Sequence, residues 1–168
     1  MTRQRLSIPA NAVEAIVEDV RRYGLHHVET GALLLTKPGE HVILAAALAG
    51  EAGIERSEGL FIITLPAFDA LFTYAEDHGL QVRAMVHSHP REAFLSPTDR
   101  RYGLRMRGFL SAVVPTYADP PVTPQAWGWW RYDDDWHPTE PAEATGADTS
   151  AQVLTFDAGG VREHRLQP

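Results

Sequence analysis

The sequence predicts an α/β (α+β) fold, a sandwich with a mixed central β-sheet flanked by helices. Three observations carry that prediction. Helix-period and strand-period segments alternate along most of the 168 residues. The runs His27–Thr36 (HVETGALLLT) and His41–Leu48 (HVILAAAL) are apolar almost throughout, as strands buried on both faces are. Turn residues separate the strands: Lys37-Pro38-Gly39-Glu40 between these two, and Asp157-Ala158-Gly159-Gly160 as a hairpin signal further on.

Leu6–Ile8 reads as a short edge strand. Pro9 then opens a helix to about Tyr23. Ala12, Val13, Ile16, Val17 and Val20 make one apolar stripe, while Glu14, Glu18, Asp19, Arg21 and Arg22 lie off it. Gly24 stops this helix. After the two buried strands, Gly50–Gly59 is expected as polar loop and Leu60–Thr64 as a further strand. Pro66–His78 is a helix with Phe68, Leu71, Phe72 and Ala75 inward, closed by Gly79. Gln81–Val86 (QVRAMV) is a strand, Pro97–Met106 a helix, and Phe109–Pro115 and Gln125–Tyr132 are the last core strands. Asp133–Ser150 changes to Asp, Glu, Pro, Thr, Ala and Gly and is expected as a long, partly mobile loop. Gln152–Phe156 and Val161–Arg165 form the final hairpin. The length predicts a single domain over 1–168, with its core at about 5–132, the 133–150 loop, and the hairpin in 151–168.

Hydrophobic residues at 44% and charged residues at 22% exclude a disordered chain. The absence of cysteine removes thiol nucleophiles, Cys-ligated zinc and disulfides, and it fits a reducing cytoplasm. Met1–Pro9 carries two Arg but no apolar run, so no signal peptide is read there. No stretch approaches the roughly 18 apolar residues of a membrane span. The net charge of −7 argues against nucleic acid as main partner, since that would need a basic face.

The chemistry concentrates in His87-Ser88-His89-Pro90 and Ser96-Pro97-Thr98-Asp99. Two histidines one residue apart on an extended segment point the same way. His87 and His89 can therefore leave the end of the Gln81–Val86 strand toward one ion, with Asp99 returning from the following turn. Two His and one Asp form a three-ligand zinc set with a fourth position open for water, which separates catalytic from structural zinc. Ser96 and Asp99 also fit a helix start, with Ser96 as N-cap and Pro97 in the first turn; the two readings are compatible. A zinc hydrolase needs a general base beyond the ligands. Glu29, entering the run Gly-Ala-Leu-Leu-Leu, is the candidate, with a solvated strand-end Glu as the alternative. Thr30 and Gly31 after it point to close backbone packing or to a bulge. Ser96 can donate to a developing oxyanion.

Together, Glu29-Thr30-Gly31-Ala32-Leu33-Leu34, His87-Ser88-His89-Pro90 and Ser96-Pro97-Thr98-Asp99 closely resemble the JAMM (MPN+) zinc metalloprotease signature, over roughly residues 5–132. The resemblance implies a fold like that of cytidine deaminases and one zinc held by His87, His89 and Asp99. It also implies Glu29 as acid/base and Ser96 as support for the tetrahedral intermediate. The substrate it implies is a ubiquitin-like or sulfur-carrier protein cleaved after a C-terminal Gly-Gly, in bacteria sometimes within conjugation or antiphage systems. A deaminase activity fails, because its Pro-Cys-x-x-Cys ligands are missing. The sequence departs from the signature in three places: the segment Arg91–Leu95 is one residue shorter than usual, and Ala84 and Ala32 stand where Gly is frequent. Two other functions stay open, a non-catalytic scaffold of the same fold and a zinc hydrolase of small amide or cysteine adducts on a carrier protein.

Six further histidines, His26, His27, His41, His78, His137 and His164, do not fit the ligand set and are expected on surface or loops. Trp127 and Trp129 share one strand face, Trp130 and Tyr132 the other, with Trp136 nearby. That pattern predicts a central strand covered on both sides, the alternative being a partner surface.

Overall fold

Strands β2 (Gly31–Thr36) and β3 (Ala45–Ala49) lack a polar face because both of their faces are covered. Ala32 and Leu34 point into one apolar cluster with helix α1 (Ala10–Gly24), and Leu33 and Leu35 into a second with helix α2 (Leu65–Asp77). A computed structural model describes residues 5–145 and 149–164 of the chain.

The remaining elements are β1 (Ser7–Pro9), β4 (Ile54–Ser57), β5 (Leu60–Ile63), β6 (Gln81–Ser88), α3 (Pro97–Tyr102), β7 (Leu110–Val114), β8 (Gly128–Asp133), β9 (Asp135–Pro138), β10 (Glu143–Thr145), β11 (Gln152–Asp157) and β12 (Gly160–Glu163). The main sheet has eight strands in the order β12-β11-β3-β2-β6-β7-β8-β9. It is mixed: β11 runs parallel to β3 and β6 to β7, and its other pairs are antiparallel. The mixed α/β architecture with helices on both faces is therefore as the sequence predicts. So is the buried stripe of α1. The aromatic strand begins at Gly128 rather than Gln125, after a 3-10 turn over Pro124–Ala126 that leaves Trp127 just ahead of it, and its two sides are covered as expected. Trp127 and Trp129 sit in the α1 cluster, Trp136 in the other, and Trp130 and Tyr132 pack against that second cluster. Among the described residues no helix is long and apolar enough to cross a membrane.

Several boundaries differ, each for a physical reason. The expected strand from His27 begins only at Gly31, because His27 turns at φ 59° and Glu29 donates its N–H to Ser57 instead. The second buried strand starts at Ala45; upstream of it Val42 bridges Ser7. Leu6–Ile8 belongs not to an edge of the main sheet but to a two-stranded parallel sheet with β10. Gly50–Gly59, expected as loop, contains β4, paired antiparallel to β5. The third helix stops at Tyr102 rather than Met106: Gly103 is extended, the Trp136 indole donates to Arg100 O, and a Cβ on Gly103 would lie 3.0 Å from that indole. Asp133–Ser150, expected as a loop, holds β9 and β10. Gly24 is the last helical residue rather than a left-handed cap; a Cβ there would meet Tyr117 O at 2.2 Å. The C-terminal hairpin forms as β11 and β12, while Arg165, the end of its expected second strand, lies outside the described residues.

Asp157 ties this hairpin to the β3 end of the sheet. It accepts from Arg162, Gly159 N–H and Glu51 N–H, and the Arg162 guanidinium holds its carboxyl down at about 2. A depressed carboxyl stabilises the fold above its unfolded value and loses that contribution as pH falls through the folded one. Asp157→Asn is therefore expected to cost about 1–2 kcal/mol at neutral pH. The gap to wild type should close as pH drops from about 4 toward 2, which melts across that range will read.

Candidate metal centre

The site forms where β6 ends. His87 is the penultimate residue of β6 and His89 follows directly, so the two rings leave the strand on the same side. β6 is central, between β2 and β7, and His89 N–H donates to Val114 O, which ties the chain beyond the strand to β7. The shortened segment 91–95 still delivers Asp99. Ser96 caps α3 in a capping box: Asp99 N–H donates to Ser96 Oγ at 3.0 Å, and Ser96 N–H donates to Asp99 Oδ2 at 2.9 Å. Helix start and site residue are thus one arrangement.

The histidine nitrogens His87 Nε2 and His89 Nε2 lie 3.2 Å apart. His87 Nε2 is 3.2 Å from Asp99 Oδ1, and His89 Nε2 is 3.0 Å from Asp99 Oδ2. Ligands on a tetrahedral ion with bonds of about 2.0–2.1 Å stand about 3.3 Å from one another. Calcium takes about six to eight oxygen ligands and does not suit a set in which two of three donors are imidazoles. The observed spacing therefore fits a small ion. Glu29 Oε1 stands farther out, 3.9 Å from His89 Nε2. Glu29, His87 and His89 also offer donor atoms within 4.8 Å of one another, a set able to hold a metal. All of these side chains are buried.

Tautomer follows from partners. His89 Nδ1 faces Glu92 O at 3.3 Å, so Nδ1 carries the proton and Nε2 turns its lone pair to the centre. His87 stacks on Phe61 with ring planes 10° apart, and Phe94 meets His89 edge-on. Glu29 Oε2 and His87 Nδ1 are buried with no hydrogen-bond partner among the described residues. A buried polar atom without a partner calls for one, and at Glu29 that partner can be a water or a bound ion.

Burial, with the Asp99 charge adding to it, pushes the Glu29 carboxyl up to about 8. Asp99 goes the opposite way. Burial alone would raise it, but the two imidazoles packed against it and the Ser96 N–H hold it well below the usual carboxylate range. Two carboxyls in one site are thus driven apart, one toward a proton carrier and one toward a permanent anion.

The structure brings Glu29, His87, His89, Ser96 and Asp99 together. The six other histidines lie elsewhere: His41 is half-buried and the other five are exposed. Four supports escaped sequence reasoning: Phe61, Ser88, Glu92 and Arg56. Arg56 donates to Ala49 O, Gly50 O, Thr30 Oγ1 and Tyr23 Oη, with its guanidinium 4.3 Å from the Tyr23 ring centre, and so pins β4 beside Glu29. Ser88 had a legible signal, a polar side chain at a strand position buried on both faces.

A family model described as prokaryotic homologs of the JAB domain matches residues 9–131. The probable metalloprotease y4jG of Sinorhizobium fredii (strain NBRC 101917 / NGR234) is 29% identical over 121 residues, 69% of this chain and 74% of its own. Among solved structures, protein DSY2949 from Desulfitobacterium hafniense superposes with a TM-score of 0.61 at 13% identity, over 83% of this chain and 92% of that one. A protein from Salinibacter ruber (strain DSM 13855) superposes with a TM-score of 0.54 at 21% identity, over 86% and 95%. These two structural likenesses bear on the fold alone.

Proposed function

As this chain belongs to the prokaryotic homologs of the JAB domain, we propose that it is a zinc-dependent metallopeptidase of the isopeptidase type. It hydrolyses the linkage after the C-terminal glycine of a ubiquitin-like or sulfur-carrier protein. The observation that carries this reading is the spacing of 3.0–3.2 Å among His87, His89 and Asp99, with Glu29 set back at 3.9 Å. Three donors fit a small ion, and a fourth acidic group lies just beyond them.

Zinc held by His87, His89 and Asp99 would lower the pKa of water and polarise the scissile carbonyl. The chain's own residues do the rest. Glu29 takes a proton from the attacking water and passes it to the leaving nitrogen as the C–N bond breaks, giving a carboxylate and an amine. Burial raises this carboxyl and a bound dication would draw it back down, which together suit it to take up and give off a proton near neutral pH. Asp99 stays anionic, fixed by the capping box. Ser96 Oγ spends an acceptor site on Asp99 N–H, which leaves its own O–H to donate to the oxyanion.

A Gly-Gly tail suits the approach to this centre. Phe94 is half exposed and meets His89 edge-on, and a tail without side chains lies flat beside such a ring as an extended strand. In this reading the chain works as a single metalloprotease domain in the cytoplasm, within a bacterial ubiquitin-like conjugation or antiphage system. The location rests on the missing cysteines and the pathway on the resemblance.

Elemental analysis tests the centre first. About one zinc per chain is expected in wild type and close to none in Asp99→Ala. A folded wild type that takes up no zinc when supplied with it overturns the proposal. A panel of carrier proteins ending in Gly-Gly, fused to an amine reporter and run against small amides, then tests the substrate class.

A further inference from the structure

Ser88 lies between the two histidines in sequence and is fully buried. Strand alternation sends its side chain to the face opposite His87. There its hydroxyl engages a single residue twice: it accepts Thr30 N–H at 2.9 Å and donates to Thr30 C=O at 3.2 Å. Ser88 N–H donates to the same carbonyl at 2.9 Å. In a regular antiparallel ladder a backbone carbonyl would take the Thr30 N–H. Here a side-chain oxygen takes it, immediately after Glu29 and where the β2–β6 pairing ends at Gly31 and His87. On its other side Glu29 is held by its own N–H to Ser57 O.

We infer that Ser88 is a positioning residue: its hydroxyl sets Glu29 against the His87–His89 pair. For turnover this rests on the hydrolase reading above; for geometry it stands alone. Ser88→Ala leaves Thr30 N–H buried without an acceptor, a state that a chain relieves by shifting or opening locally. Thr30 keeps its bonds from Ser88 N–H and Arg56, so the shift expected is a small one in the lead-in to β2, at Glu29 beside the orphaned N–H. The histidines stay in place, because β6 keeps its ladders to β2 and β7 and the rings project from the other face. Proton transfer depends on reach of about 3 Å, so a displacement of about 1 Å at Glu29 suffices to slow it.

The experiment compares zinc-loaded wild type, Ser88→Ala and Ser88→Thr, the last restoring a hydroxyl. Amide exchange at Thr30 and the carboxyl ¹³C resonance of Glu29 are read by NMR. Zinc content is measured alongside, and turnover uses a Gly-Gly carrier fused to an amine reporter. In Ser88→Ala, zinc is expected to stay at wild-type level, Thr30 exchange to accelerate about tenfold or more, and the Glu29 resonance to move. Its kcat should fall about 10–100-fold with KM within about twofold, and Ser88→Thr should recover most of the loss. An unmoved Glu29 resonance with wild-type Thr30 exchange overturns the inference, and so does a loss of zinc that parallels the loss of kcat. If wild type turns over no carrier, the hydrolase reading fails by itself and the NMR arm still decides the positioning role. Should Ser88→Ala not fold, Ser88→Cys, of similar size but a weak hydrogen-bond partner, replaces it in every arm.

Discussion

Glu29→Gln is expected to bind zinc as wild type does and to lose turnover by about 10²–10⁴-fold, the range for removing a general acid–base group. The substitution keeps the size and shape of the side chain. It leaves His87, His89 and Asp99 in their mutual contacts of 3.0–3.2 Å, none of which involves Glu29. What it removes is the buried carboxyl just beyond those contacts, which burial raises so that it can gain and lose a proton. Stability moves the other way. Burial makes ionised Glu29 costly, so the carboxyl progressively destabilises the metal-free fold as pH rises from its ordinary value to about 8, and the full cost is present above that. Gln carries no charge, and the metal-free variant is expected to melt at or above wild type there. Steady-state kinetics, zinc content and melts on one preparation check all three statements. Full turnover in Glu29→Gln would remove the acid–base role and return Glu29 to a structural one.

How much of this was legible in the sequence depends on the range of the interaction. The His87–His89 pair follows from strand alternation, and the Ser96–Asp99 capping box from a four-residue spacing. Both are local, and both appear where expected. The β2, β6 and β7 strands announce themselves because burial on two faces demands apolar runs. β4, β9 and β10 do not. Each is three or four residues long and largely exposed, and its strand form comes from a partner: β5, β8 or β1. A segment such as DWHP carries no period of its own to read. The supports of the site were hidden for the same reason. Arg56 reaches Thr30, Phe61 stacks on His87, and Ser88 holds Thr30 across 58 residues of chain. Only the register of β2 against β6 and the fold-back of β4–β5 bring those groups together.

Gly31→Ala is expected to be among the most damaging small changes in the molecule, although it adds one methyl. A Cβ at Gly31 would stand 2.5 Å from Val86 O and 2.6 Å from Phe61 Cε1. The first is backbone in the central strand and cannot step aside; the second is the ring that stacks on His87. Overpacking of this kind costs about 1–3 kcal/mol and sometimes more. With a backbone oxygen in the way we expect about 3 kcal/mol, a drop in Tm of roughly 6–12 °C for a chain of this size. The loss should not be confined to stability. Displacing Phe61 frees the His87 ring, whose Nδ1 has no hydrogen bond among the described residues to hold it, so zinc affinity should fall as well. The double variant Gly31→Ala/Phe61→Leu separates the two clashes. Removing the ring relieves the contact with Phe61 but not that with Val86 O, so it should recover only part of the stability and none of the zinc affinity. Recovery of both would mean that Phe61 fills space without orienting His87. The close-packing role assigned to Gly31 predicts the partial result, because the strand carrying His87 lies against Gly31 directly.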